Sequence, residues 1–241
     1  MVRQLLARLG IGVLLAALWS ALVFINALNG WTRAPLAPEE DTAAFVIDAK
    51  AYLAERSNGN VAFLLLEDGK PAASHFLSID RPVDGDSVFQ VASLSKWVTA
   101  HGVMILVEDG LLELDRPVSD YLTRWQLPDS EYDNDLVTVR RLLSHTAGLT
   151  DGLGYGGFAP EEPLQSLEGS LTRAADASPH ADGRTRVGRA PGRWDYSGGG
   201  FTILQLLIEE VTGQRFEAFM DARLFQPLGM THSSFDVEAA T

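Results

Sequence analysis

The sequence predicts an α+β fold in which an antiparallel sheet is flanked by helices, with an apolar helix ahead of it. Three observations point there. An Asp-Gly pair joins two apolar runs between residues 61 and 79, which is the strongest short-range hairpin signal. A helical pattern precedes that hairpin, and the apolar spacing turns helical again from Ser93 onward. The regular alternation of strand and helix that builds a parallel sheet is therefore missing.

Residues 1–8 include Arg3 and Arg8, and the uncharged run LGIGVLLAALWSALVFINAL follows at 9–28. About 20 apolar residues cross a bilayer as a helix. A secretory signal has a shorter apolar region, ~7–15 residues, ahead of a small-x-small cleavage site. Residues 9–28 are thus expected to be a transmembrane anchor or signal segment, the length favouring an uncleaved anchor. Positive residues on its N-terminal side keep 1–8 cytoplasmic and place the remainder outside, on the periplasmic or extracellular side. Residues 29–40, rich in Pro and charge, read as a linker, and 41–241 remain for one domain.

Asp41-Thr42 is positioned to cap a helix over 43–56, with Phe45, Ile47, Ala51, Tyr52 and Leu53 as its apolar contacts. The hairpin follows, turning at Glu67-Asp68-Gly69-Lys70. The stretch SLSKWVTAHGVMILVEDG predicts a helix stopped by Gly110, and VTVRRLLSHTAGL another ending at Gly148. Residues 150–193, dense in Gly, Pro and charge, read as a long functional loop with one short helix over 163–175. GGGFTILQLLIEEVTG is a strong helix. A lone hairpin is not stable in water, and no further strong strand precedes Thr241. The reading therefore expects the domain to be incomplete at the C-terminus, its remaining strands lying beyond.

Composition excludes several function classes. With 46% hydrophobic and 21% charged residues the chain has material for a core. A net charge of −13, without a run of Lys or Arg, argues against a nucleic-acid partner. The absence of cysteine removes disulfides, thiolate metal sites and thiol nucleophiles. His75, His101, His145, His180 and His232 lack close ligand spacing, so no metal site and no cofactor is expected. Glu161-Glu162 and Glu209-Glu210 read as solvated charge.

One short stretch carries chemistry. In FQVASLSKW, Ser93 and Lys96 stand three apart, which on a helix puts hydroxyl and amine on one face. A serine hydroxyl needs a neighbouring base to become a nucleophile. Lysine can serve once desolvation disfavours its charged form, and Phe89, Val91, Trp97 and Val98 flank the pair. The partial positive charge of a helix N-terminus favours the neutral amine and a developing oxyanion alike.

Ser-x-x-Lys is a signature of β-lactamases and penicillin-binding proteins. FQVASLSKWVTAHGVMILVEDGLLELDRPVSDYL, VTVRRLLSHTAGL, WDYSGGGFTILQLLIEEVTG and LFQPLGMTHSSF occur here in the order in which they occur in a known family. The sequence resembles the class C β-lactamase-like serine hydrolases, which include D-alanyl-D-alanine carboxypeptidases and esterases. The resemblance runs from about Val61 to Phe235. It implies a β-lactamase/transpeptidase-like fold, a sheet flanked by helices plus a helical subdomain with the cleft between them. It implies Ser93 as acylated nucleophile, Lys96 as its partner, Tyr196 as general base with the lysine, and the Ser93 backbone amide as one oxyanion donor.

Gly198 departs from the pattern, standing where the Tyr-x-Asn motif has an asparagine that contacts the substrate amide. A Lys- or His-x-Gly third motif does not occur before Thr241. Gly198 and Trp194 are the candidate substrate contacts, while Trp125 and Trp194 are each open to a cleft or a core role. His145 is read as structural, and SGGGF as close backbone approach beside Tyr196. The partners implied are a small-molecule or peptide substrate and, through the N-terminal helix, a membrane. A non-catalytic binding module of the same fold is the competing expectation.

Overall fold

The computed structural model describes residues 2–30, 35–151, 155–158, 162–179 and 181–236. Residues 31–34 of the linker, Glu161 and His180 lie outside them. The chain divides into two compact units, residues 1–87 and 88–241.

In the first unit, helix α1 spans Val2–Asn29. Its part Gly10–Asn29 is long and apolar enough to cross a membrane, with mean hydropathy 2.3 and none of it buried. Helix α2 spans Thr42–Arg56. Asp41 caps it as expected, its carboxylate accepting from Ala44 N at 2.9 Å. The contact face differs from the expected one. Ile47, Ala51 and Tyr52 are exposed, and the buried or half-buried line is Phe45, Ala49 and Leu53. That line follows the i, i+4 spacing, which the broader apolar pattern obscured.

Strands β1 (Val61–Glu67) and β2 (Lys70–Leu77) pair antiparallel from Val61↔Leu77 to Glu67↔Lys70. The two-residue turn holds Asp68 at φ 48° and Gly69 at φ 73°, both left-handed, as a type I′ turn requires. The register slips between Leu65 and Leu66, where Pro71 has no amide to offer the ladder. Asn60 closes the open end by accepting from Ile79 N and Asp80 N.

The second unit is helical and is organised around α6 (Gly199–Thr212). Ile203, Leu204, Leu206, Leu207 and Ile208 of α6 are fully buried. Around them pack α3 (Ser95–Glu108), α4 (Val139–Leu143), α5 (Leu167–Arg173) and α7 (Phe216–Met220), the last running on into a π turn at Asp221–Phe225. Gly102 lets α3 approach α7, for a Cβ there would sit 2.4 Å from Met220 Sδ.

Two boundaries correct the reading. Helix α4 ends at Leu143 rather than near Gly148, because His145 at φ 55° turns the chain out of the helix. The predicted helix over 163–175 is shorter, capped by Ser166 at Gly169 N. A two-residue ladder, β3 (Leu149–Thr150) with β4 (Arg186–Val187), also crosses the stretch read as loop. It is too short to leave a periodicity.

Candidate active site

Ser93 lies in a 3-10 turn, Ala92–Leu94, that leads into α3. Lys96, three residues on in the first turn of α3, lies on the same side of the chain. Lys96 Nζ donates to Ser93 Oγ at 3.1 Å. Ala92, just before the serine, is held at φ 45°, a left-handed conformation that costs a non-glycine residue about 1–2 kcal/mol. Sharp turning there leaves Ser93 exposed at the start of the helix.

Tyr196, just ahead of α6, donates from Oη to the same Ser93 Oγ at 2.9 Å. The segment that carries it is fixed on both sides. Asp195 N donates to His145 O at 2.8 Å, and Ser197 N to His145 Nδ1 at 3.2 Å. Ser197, itself buried, accepts from Gly200 N at 2.9 Å. Asp151, also buried, accepts from Gly199 N and from Tyr155 Oη, each at 2.6 Å. A carboxylate beside the first amides of a helix is electrostatically favoured.

The apolar shell differs from the expected one. Phe89, Val91 and Trp97 are exposed by 44%, 49% and 66%, so they do not enclose the lysine. The rings near Lys96 Nζ are Tyr196, centroid at 5.1 Å, and Phe201, at 5.9 Å. Both come from the α6 end, about a hundred residues away in sequence; the motif resemblance anticipated Tyr196 at the site, and nothing local anticipated Phe201.

Electrostatics at the site act on the phenol and the imidazole. Partial burial pushes the Tyr196 pKa up, but hydrogen bonds with Lys96 and Ser93 and the lysine charge outweigh it. The net result lies below the ordinary tyrosine value. Burial and then the Lys96 charge hold His145 below its ordinary 6.5, against the opposing pull of Asp151. Its Nδ1 accepts the Ser197 amide, so the ring is neutral with its proton on Nε2. Its face lies 4.6 Å from the Tyr196 ring and 5.3 Å from Phe201. His145 therefore braces the tyrosine.

Gly198 has a steric cause. A Cβ on it would sit 2.3 Å from Tyr155 Cε2, so the Tyr155 ring occupies the space a longer side chain would take. Burial, then the bond to Asp151, push the Tyr155 phenol well above its ordinary value, and it stays a protonated donor. Trp194 is 65% exposed and stands edge-on to His145 at 6.2 Å. Trp125 instead packs on the core. Asp151, Tyr155 and Phe201 are the contributors that sequence reasoning missed.

Likeness to solved structures gives the class of fold. The octameric penicillin-binding protein homologue from Pyrococcus abyssi matches with a TM-score of 0.61 at 25% identity, covering 79% of this chain and 44% of that one. The fold is therefore of the β-lactamase/transpeptidase type. The chain belongs to the Beta-lactamase family, whose model matches residues 48–241. Among curated relatives, esterase EstB of Burkholderia gladioli is 34% identical over 64% of this chain and 40% of its own length. Penicillin-binding protein 4 of Amycolatopsis lactamdurans is 34% identical over 63% of this chain and 37% of its own. The chain spans about a third to two fifths of the length of the curated relatives it matches.

Proposed function

We propose that this chain carries the acylation site of a serine hydrolase, with Ser93 as nucleophile, acting on an ester or amide outside the cytoplasm. The observation that supports it best is the sharing of one oxygen, Ser93 Oγ, by Lys96 Nζ and Tyr196 Oη. A serine kept only for capping has no need of a second donor from 103 residues along the chain.

In this reading the lysine charge favours the phenolate of Tyr196, which accepts the Ser93 proton as Oγ bonds to the substrate carbonyl carbon. The Ser93 backbone amide receives the developing oxyanion. As the intermediate collapses, the bond to the leaving oxygen or nitrogen breaks and that atom takes the proton from Tyr196. Water then adds to the acyl-enzyme, giving its proton to the same phenolate, and the acid departs as Ser93 is reprotonated. No metal or cofactor takes part.

Gly198 favours esters over β-lactams and D-alanyl peptides, since no amide side chain is present there to meet a substrate amide. The relatives include an esterase and penicillin-binding proteins alike, so this choice rests on Gly198. The helix Gly10–Asn29 serves as anchor or signal segment, with Arg3 and Arg8 on the cytoplasmic side. Hydrolysis of p-nitrophenyl butyrate by the chain in detergent tests the proposal. The wild-type rate is expected to fall by about a thousandfold or more in Ser93→Ala. Equal activity in the two would overturn it.

A further inference from the structure

The segment running from Gly188 to Tyr196 is a strap laced onto residues 145–148. Gly188 N and Arg189 N both donate to Gly148 O, at 3.0 and 3.2 Å. Gly192 N donates to Thr146 O at 2.8 Å, and Asp195 N to His145 O at 2.8 Å. The two backbones touch so closely that a Cβ on Gly148, which is at φ 71°, would lie 2.2 Å from Arg189 O. The strap is thus pre-organised along its length, and it ends on Tyr196.

A cleft of about 230 Å³ opens along it, lined by Gly148, Arg189, Ala190, Arg193 and Asp195. Arg189 is ion-paired with Asp195, so those two charges cancel. Arg193 makes no ion pair and no side-chain hydrogen bond among the described residues. Six other arginines of this unit, at positions 116, 124, 140, 186, 215 and 223, each hold a carboxylate, while Arg141, Arg173 and Arg184 share with Arg193 the lack of an ion pair among the described residues. The cleft therefore keeps one uncompensated positive charge in a chain of net charge −13. A guanidinium presents a planar fork of N–H donors that matches a carboxylate. The following residue in the chain, Trp194, is exposed, and its ring meets His145, which in turn meets the Tyr196 ring.

We propose that this cleft is a carboxylate-recognising subsite, in which Arg193 binds a free carboxylate on the substrate and Trp194 covers the adjoining apolar part. The cleft is smaller than the ~300–1,000 Å³ of a whole ligand pocket. It takes one end of a substrate whose carbonyl reaches Ser93. This rests on Ser93 being the nucleophile, and it adds the substrate class: an anionic small molecule.

Two ester pairs and one binding measurement test it on the full chain. The first pair is p-nitrophenyl hemiglutarate against p-nitrophenyl butyrate, with the charge on the acyl side. The second is 4-carboxyphenyl butyrate against phenyl butyrate, with the charge on the alcohol side. The wild type is expected to favour the charged member of at least one pair by about tenfold in kcat/KM, the effect of one charge-assisted hydrogen bond at a partly open site. Arg193→Gln removes that preference and Arg193→Glu inverts it. No preference in either pair, or one that survives Arg193→Gln, overturns the subsite.

Binding is read separately from chemistry in Ser93→Ala, by tryptophan fluorescence during titration with glutarate. A saturable change that vanishes in Arg193→Gln and in Trp194→Phe supports the subsite even if no ester is cleaved, an outcome that would sink only the hydrolase reading. No saturable change overturns the subsite, and an equal response to inorganic phosphate overturns its assignment to a carboxylate.

Discussion

Tyr196 and Ser93 share a hydrogen bond of 2.9 Å across 103 residues of chain. Closing so long a loop is entropically unfavourable, and the α6 core, the His145 brace and the Asp151 bonds hold it closed. The phenol reaches the serine because the start of α6 is fixed at Gly199 and Ser197, on either side of Gly198. Tyr196→Phe keeps the ring stack and removes the oxygen. It is expected to lower kcat/KM for a p-nitrophenyl ester about a hundred- to ten-thousandfold, with thermal stability little changed.

The lysine charge predicts a pH signature. With the Tyr196 pKa held below its ordinary value, activity rises with pH through a limb that lies below the titration of free tyrosine. Lys96→Gln removes a positive charge from beside the phenol, so the phenolate is less favoured and the limb moves upward. The pH dependence of kcat/KM in the two proteins checks this. A limb that stays in place would assign the titration to another group.

His145 predicts a link between acidity and stability. Its folded-state pKa lies below the ordinary 6.5, so the unfolded chain binds the proton first and stability is lost as pH falls below about 6.5. In His145→Ala this His-dependent loss disappears, while the Ser197 amide loses its acceptor and stability drops by about 1–3 kcal/mol at neutral pH. Urea unfolding at neutral and mildly acidic pH measures both effects.

Gly198 and Tyr155 should behave as a coupled pair. Gly198→Asn forces the new side chain onto the Tyr155 ring and is expected to lose about 1–3 kcal/mol. Adding Tyr155→Ala opens that space, so the double variant should be more stable than the two separate losses summed, by about 0.5 kcal/mol or more. A double-mutant cycle of melting or urea data provides the comparison.

Local signals carried much of the architecture. Asp68-Gly69 announced the hairpin through the left-handed turn it needs, Asp41 announced the start of α2, and the unbroken apolar period of 201–208 announced the buried α6. Ser93 and Lys96 were legible because their relationship is three residues long. The bracing of Tyr196 was not, since Asp151, Tyr155 and Phe201 gain their meaning from tertiary contact. The shell expected from Phe89, Val91 and Trp97 failed for the same reason: neighbours in sequence are not neighbours of the lysine amine. The β3–β4 ladder escaped because two residues are too few for a pattern.

Mapping the covalent adduct of a fluorophosphonate tests the central claim most directly. After labelling of the chain, tandem mass spectrometry of its peptides should place the phosphonyl group on Ser93, with labelling lost in Ser93→Ala and strongly slowed in Lys96→Gln and Tyr196→Phe. An adduct on any other residue, or labelling undiminished by Ser93→Ala, would contradict the account.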